Sequence, residues 1–351
     1  MLARDIMPPR NRARRWASFH LGVTLSVLAV LASALAGRSS PAPASNASKN
    51  NQFSINVNVN MVVLHATVLD HKGRMVNNLE ENNFRVYEDG VLQHLAVFSH
   101  ADIPVTMGIV IDDSGSMRDK RPSVNAAAYT FVKTSNPFDQ VFVVNFNDEY
   151  YLDTPGNFAA NRQQLKAALD KIDSRGGTAL YDAVYASLDH LELGSHNKKV
   201  LLVITDGEDN ASRYTFDDLI QHAEQSSAVI YCIGLLGQER RAGLFKIHGA
   251  GEKRAAKVLK ELAHATGGRA YFPKSLDEVD ATCAKIAHDI RNQYTLAYYP
   301  TNAKRDGTYR RVRIKLVGPG TGHYIVRTRP GYYAPTGKQP ATVASTRSLN
   351  P

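Results

Sequence analysis

Cysteine is almost absent from this 351-residue chain: Cys232 and Cys283 are the only two. A disulfide scaffold and a multi-cysteine zinc or iron–sulfur centre are therefore excluded. The twelve histidines are scattered, and none forms a His-x-x-x-His pair beside a glutamate, which removes the zincin class. There is no Gly-x-Ser-x-Gly elbow, no P-loop and no Gly-x-Gly-x-x-Gly turn, so the usual hydrolase, nucleotide-motor and dinucleotide signatures are missing. What is present is ordinary globular composition, 43% hydrophobic and 21% charged, at a length that suits two modest domains. The formal charge of +9 sits at the ends: residues 1–36 carry +4 and residues 303–351 carry +9, leaving the body at −4. A mildly acidic body does not suit nucleic acid, and none is expected as a partner.

The amino terminus has the grammar of an export signal. Arg10, Arg12, Arg14 and Arg15 precede an uncharged stretch from Trp16 to Ala36, which closes on Ala34-Leu35-Ala36 before Gly37. A basic region, an apolar core and small residues at −3 and −1 are what a signal peptidase requires. The arginine pair is followed by Trp16-Ala17-Ser18, a poor match to the twin-arginine pattern, so ordinary secretion is expected. The destination is then the periplasm, the cell envelope or the exterior. The alternative is an uncleaved anchor, since a stretch from Trp16 to Ala36 can just span a bilayer. No cysteine lies near residue 37, which excludes a lipid-anchored lipoprotein, and no later run is long and apolar enough to cross a membrane. Residues 37–52, rich in Ser, Ala, Pro and Asn, read as a flexible spacer.

The body alternates β, then α/β, then β. Apolar runs from Phe53 to Asp70, and from Phe84 to Val97 across an Asp89-Gly90 turn, mark an all-β segment over 53–101. From Val105 the pattern changes. The near-continuous strands Val105–Ile111, Val141–Phe146, Val200–Thr205 and Val229–Leu235 are of the kind buried on both faces of a parallel sheet. Helical spacing separates them, around Val124–Val132, at Leu165, Leu169 and Ile172, and over Ala179–Leu191, Phe216–Gln225, Ala255–Ala265 and Leu276–Ile290. Tyr150–Leu152 fits a short antiparallel edge strand, and Arg269–Phe272 another strand. This is a doubly wound α/β domain over 102–291. Residues 292–333 return to β, with Arg311, Arg313 and Lys315 alternating with Val312, Ile314 and Leu316 as the wet face of a half-buried strand. Neither β segment is large enough alone, so the two are expected to form one β-sandwich with the α/β domain inserted between them. Residues 334–351 read as a disordered tail, and Gly237–Gly251 as a lid or an insertion.

Three loops carry chemistry. The first α/β strand ends in Asp112-Asp113-Ser114-Gly115-Ser116-Met117, Gly176-Gly177-Thr178 precedes a helix, and Thr205-Asp206-Gly207 ends another apolar strand. All can converge at the carboxyl edge of the sheet, where doubly wound folds place ligands.

With these motifs the stretch from about 104 to 291 resembles the von Willebrand factor type A domain with its metal-ion-dependent adhesion site (MIDAS). Its flanks, Phe84-Arg85-Val86-Tyr87-Glu88-Asp89-Gly90, Tyr294-Thr295-Leu296-Ala297-Tyr298-Tyr299-Pro300 and Arg329-Pro330-Gly331-Tyr332-Tyr333, resemble the bacterial VWFA-related domain first noted in Acidobacteria. The resemblance implies that Ser114, Ser116 and Thr178 offer hydroxyl oxygens, while Asp112 and Asp206 hold an ion directly or through water. An all-oxygen set with two carboxylates suits Mg²⁺, with Mn²⁺ or Ca²⁺ as alternatives. Two anions balance the dication, and an acidic side chain of a protein partner can then complete its shell. The bland alternative is that these residues only cap loops and helices.

The remaining candidates have other readings. Asp182, in the first turn of the helix after Thr178, serves the helix dipole or the second shell of the ion. Buried free thiols are expected for Cys232 and Cys283, with one disulfide after export as the alternative. Asp113-Ser114-Gly115 spells the aspartic-protease triplet, but no second copy exists to share its proton. The expectation is an exported, non-enzymatic protein-binding module. Its alternatives are an envelope assembly factor whose metal serves stability, and a hydrolase using Asp113.

Overall fold

The computed structural model describes residues 61–236 and 249–337. The export segment, the spacer, the apolar run 53–60, most of the Gly237–Gly251 loop and the tail beyond 337 lie outside the described residues.

The α/β region is built on β5 (Val105–Asp112), every residue of which is buried. Its earlier neighbours in the chain are β1 (Val62–Leu69), β2 (Phe84–Glu88), β3 (Val91–Gln93) and β4 (Leu95–Ser99). After β5 come α1 (Arg121–Lys133), β6 (Gln140–Phe146), β7 (Tyr150–Leu152), α2 (Arg162–Leu169) and α3 (Leu180–Leu191). Then follow β8 (Lys198–Thr205), α4 (Phe216–Gln225), β9 (Val229–Gly234), α5 (Ala250–Ala265), β10 (Ala270–Tyr271) and α6 (Glu278–Arg291). The sheet order is β10-β9-β8-β5-β6-β7, parallel except for β7. Met107, Ile109 and Ile111 face one core with residues of α1, α2 and α6, while Val110 faces the other with residues of α3, α4 and α5. Helices on both faces leave no wet side, which is why these strands are continuous apolar runs. The chain leaves β5 toward β6 on one side, whereas β8 flanks it on the other, with Ile111 in register with Ile204. The helix after β5 packs on one face and the helix after β8 on the opposite face. The carboxyl ends of β5 and β8 are thus a topological switch point, where the departing loops splay apart and open a crevice.

The flanking segments make two four-stranded antiparallel sheets, completed by β11 (Tyr294–Tyr298), β12 (Tyr309–Leu316), β13 (Ile325–Arg327) and β14 (Gly331–Tyr333). Their orders are β13-β1-β11-β4 and β14-β12-β2-β3, so each sheet mixes strands from both ends of the chain. Leu64, Ala66 and Val68 of β1 meet Phe84 and Val86 of β2, together with Tyr294, Leu296, Val312 and Ile314, in one core. This is the inserted-domain sandwich expected from the sequence. The Asp89-Gly90 turn joins β2 to β3 with φ of +47° and +87°, the two-residue geometry that favours glycine. Arg311, Arg313 and Lys315 point to solvent between buried Val312 and Ile314.

Some local readings are corrected. Helix α2 stops at Leu169 with Asp170 as its cap, and Ile172 lies beyond it, 43% exposed. Helix α5 starts five residues earlier than the apolar spacing indicated, at Ala250. Strand β14 was legible only as a motif, and its neighbour Ala334, read as tail, is buried and donates its N–H to the Thr308 carbonyl at 2.9 Å. Cys232 and Cys283 are both buried and free, so the disulfide alternative is not formed. No helix among the described residues is long and apolar enough to cross a membrane.

Candidate metal centre

Asp112 closes β5 with its side chain wholly buried. Its Oδ1 accepts the Ser114 N–H at 2.8 Å, and its Oδ2 accepts the Thr205 hydroxyl across the crevice at 2.6 Å. The Ser114 and Ser116 hydroxyls are 3.2 Å apart, and Ser116 Oγ donates to Asp206 Oδ1 at 2.8 Å. The other Asp206 oxygen pairs with the Lys120 ammonium. Thr178 approaches from the second loop: a Cβ built on Gly207 would lie 3.9 Å from its Oγ1. Ser116, Thr178 and Asp206 together line a cavity of about 400 Å³ open to solvent. Of the five residues singled out in the sequence, these three line the cavity, while Asp112 and Ser114 are buried and connect to it through the Ser114–Ser116 hydroxyl contact.

The loops are held by backbone contacts that only this topology can make. Gly115 N–H reaches the Gly176 carbonyl at 3.4 Å, and Arg175 N–H reaches the Asp113 carbonyl at 3.1 Å. Gly176 has φ of +70°, and a Cβ there would run into the Asp148 carboxylate. That carboxylate accepts the next N–H, of Gly177, at 2.7 Å. Asn210 Oδ1 accepts the Thr178 N–H at 2.8 Å, fixing the third loop against the second. Asp182 does sit in the first turn of α3. Its Oδ1, however, accepts the N–H groups of Arg213 and Tyr214, each at 3.0 Å, so its carboxylate clamps the loop leading to α4.

Asp113 has a different fate from Asp112. It is fully buried, accepts Asp173 N–H at 2.6 Å and Ser174 Oγ at 2.9 Å, and lies 3.4 Å from the Arg121 guanidinium. Its carboxylate is engaged by its own chain away from solvent, which gives the hydrolase reading no support.

Burial, and then the neighbouring Asp206 charge, push the Asp112 carboxyl up to about 6. Glu208, Asp209 and Glu252 also line the cavity, so the crevice is strongly acidic. Among the described residues no group of three His, Cys, Asp or Glu is placed to hold a metal. A cation here would thus rest on two carboxylates supplemented by hydroxyls. Such a set fits a hard, oxygen-seeking dication and does not fit a thiophilic one. Lys120, Asp148 and Asn210 escaped the sequence reading. Lys120 follows Ser116 by four residues, but one cation among 42 Lys and Arg carries no signal of its own.

The geometry defines a class: a doubly wound domain with an oxygen-donor crevice at its switch point. The profile of the von Willebrand factor type A domain family matches residues 107–281, and this chain belongs to that family. Similar solved structures include a von Willebrand factor type A protein from Catenulispora acidiphila, 16% identical over 73% of this chain and 74% of that one, with a TM-score of 0.45. Proximal thread matrix protein 1 from the mussel byssus, with a zinc-occupied MIDAS motif, is 17% identical over 58% of this chain and 50% of that one, with a TM-score of 0.44. The vWF domain of the type V pili tip protein Mfa5 from Porphyromonas gingivalis is 13% identical over 54% and 95%, with a TM-score of 0.43. No curated protein matches the chain significantly.

Proposed function

We propose that this protein is an exported, non-enzymatic binding module that recognises a protein partner through a divalent cation held by Asp112, Ser114, Ser116, Thr178 and Asp206. The observation that carries this reading is the pair of buried carboxylates at adjacent strand ends, linked through Ser114 and Ser116, with Asp206 lining an open acidic cavity. Burying two like charges is costly unless a cation answers them. Asp112 and Asp206 would anchor the ion, the three hydroxyls would fill neutral positions, and Thr205 and the Ser114 N–H would orient Asp112. The bound dication supplies an electrophile that a partner's carboxylate can complete. Mg²⁺ suits the site best, since such ions keep waters that an incoming oxygen can replace.

The test is calorimetric titration of the purified chain with MgCl₂ and MnCl₂, followed by capture of envelope proteins with and without EDTA. Binding of either ion, lost in Asp112→Ala and Asp206→Ala, together with EDTA-sensitive capture, supports the reading. Absence of heat and of any melting shift with both ions at millimolar concentration sinks it.

A further inference from the structure

The binding reading leaves Lys120 without a task. It stands at the start of α1, four residues beyond Ser116. Its ammonium donates to the Ser116 carbonyl at 3.1 Å and pairs with Asp206. The Lys120 side chain is 8% exposed and that of Asp206 2%. A long flexible side chain held this closely loses most of its rotamer freedom, a cost that a pair at the surface rarely recovers. Here the return is electrostatic. Asp112 and Asp206 lie close enough for the Asp206 charge to raise the Asp112 carboxyl. Among the described residues the Lys120 ammonium thus offsets one of two buried anions.

The same ammonium obstructs an incoming ion. It occupies an oxygen of Asp206, and a dication bound to that carboxylate would stand within a few ångströms of a positive charge, beside side chains that are nearly sealed from solvent. Like charges at such separations repel strongly where solvent screening is poor. The acid that anchors the ion thus has two competing cations, one tethered to the chain and one free in solution.

We propose that Lys120 is a built-in counter-cation that a divalent ion must displace from Asp206, so that it sets the concentration at which the site loads. The inference rests on the metal-binding reading above. It deepens that reading by giving the apo protein a defined state: Asp206 paired to Lys120, and the site closed to the ion until its concentration is high enough. Loading then couples release of Lys120 from β8's loop to formation of the partner-binding electrophile. Binding becomes conditional on the divalent-ion level outside the cell membrane, where such levels vary.

The experiment compares wild type, Lys120→Met, Lys120→Gln and Lys120→Arg in the full chain, reading Mg²⁺ and Mn²⁺ affinity by calorimetric titration and melting in EDTA and in Mg²⁺. Lys120→Met, which keeps the stem and removes the charge, is expected to bind Mg²⁺ more tightly by about tenfold or more. It should also melt lower than wild type in EDTA and recover in Mg²⁺. Lys120→Arg keeps a cation in place and should stay within about threefold of wild type. Lys120→Gln retains a donor for the Ser116 carbonyl without charge and should follow Lys120→Met, which keeps the test alive where the methionine variant folds poorly. Equal or weaker affinity in both neutral variants, with wild type binding normally, overturns the inference and makes Lys120 a supporting donor. Failure of every variant to bind either ion overturns the metal reading itself. Binding by the neutral variants alone supports the inference in its strongest form.

Discussion

The sandwich and the α/β domain each bury carboxylates, and they treat them in opposite ways. In the sandwich, Glu88 accepts the Tyr298 hydroxyl at 2.9 Å and the Tyr332 hydroxyl at 2.7 Å, and meets the Arg310 guanidinium at 3.3 Å. Tyr298 belongs to one sheet, the other three residues to the facing sheet, so the network clamps the two layers. The Glu88 charge raises both phenols well above their ordinary range, after burial itself, which keeps them as donors at any physiological pH. In the α/β crevice, Asp112 accepts the Thr205 hydroxyl, Asp206 accepts the Ser116 hydroxyl and pairs with Lys120, and Asp112 is pushed up to about 6. Among the described residues Lys120 pairs with Asp206 alone of these two anions, and Asp206 also lines an open cavity. A buried carboxylate whose own chain answers it fully is architecture; a pair of which one member alone meets a cation is poised for a ligand.

That contrast can be broken in several places. The largest effect belongs to the closed network: Arg310→Met strands Glu88 without a cation and should cost about 3–5 kcal/mol of unfolding free energy. Urea titration measures it, and a loss below about 1 kcal/mol would mean the Arg310–Glu88 contact does not hold the two layers. The open site should show the reverse behaviour, with stability that depends on what is added. Mg²⁺ at a hundred times its dissociation constant should stabilise wild type by about 2.7 kcal/mol, a gain near zero in Asp112→Ala and Asp206→Ala and reduced less in Ser116→Ala. Scanning calorimetry in Mg²⁺ against EDTA reads that difference, and an unchanged gain in Asp206→Ala would remove the site's anchor.

A third, smaller effect separates the sandwich from the site by pH. His65 of β1 is buried, and burial, reinforced by Lys198, lowers its imidazole to about 3. Its unfolded counterpart takes a proton near 6.5, so the stability it confers is complete above that pH. That stability is lost at about 1.4 kcal/mol per unit as pH falls from 6.5 toward 3. Between pH 6.5 and 5 His65 by itself should cost about 2 kcal/mol, offset in part by Asp112, whose raised carboxyl takes a proton in the same window, and His65→Gln should remove the His65 share without touching Mg²⁺ binding. The smallest change is Gly176→Ala. A left-handed backbone and the Asp148 carboxylate both oppose the new Cβ, costing about 1–2 kcal/mol. Because this loop carries Thr178, Mg²⁺ affinity should fall alongside, and an alanine variant with full affinity would remove the loop from the site.

Much of the architecture was legible because burial writes itself into local pattern. The Val105–Asp112 run and the alternation through Arg311, Val312, Arg313 and Ile314 each reported how many faces of the strand are dry. Asp89-Gly90 marked its hairpin because few other pairs adopt that turn. Ile172 misled because helical spacing continues past a helix that Asp170 has already capped. Strand β14, a three-residue pairing with β12, is too short for any period to show.

The site divides in the same way. Three short motifs each named their oxygen donors, because hydroxyls and carboxylates at strand ends are conspicuous among apolar runs. Their order along the chain, together with the β5 and β8 strands that carry two of them, was set by sequence alone. What only the tertiary structure decided is the balance of charge around those donors. Asp113 and Asp112 are neighbours of the same type, yet one is sealed by Ser174 and Arg121 and the other looks across to Asp206. Lys120 reaches Asp206 across 86 positions of sequence, and Glu88 meets Tyr332 across 244. Local pattern records whether a residue is buried; electrostatic energy depends on which charge lies within a few ångströms, and that distance exists only once the chain has folded.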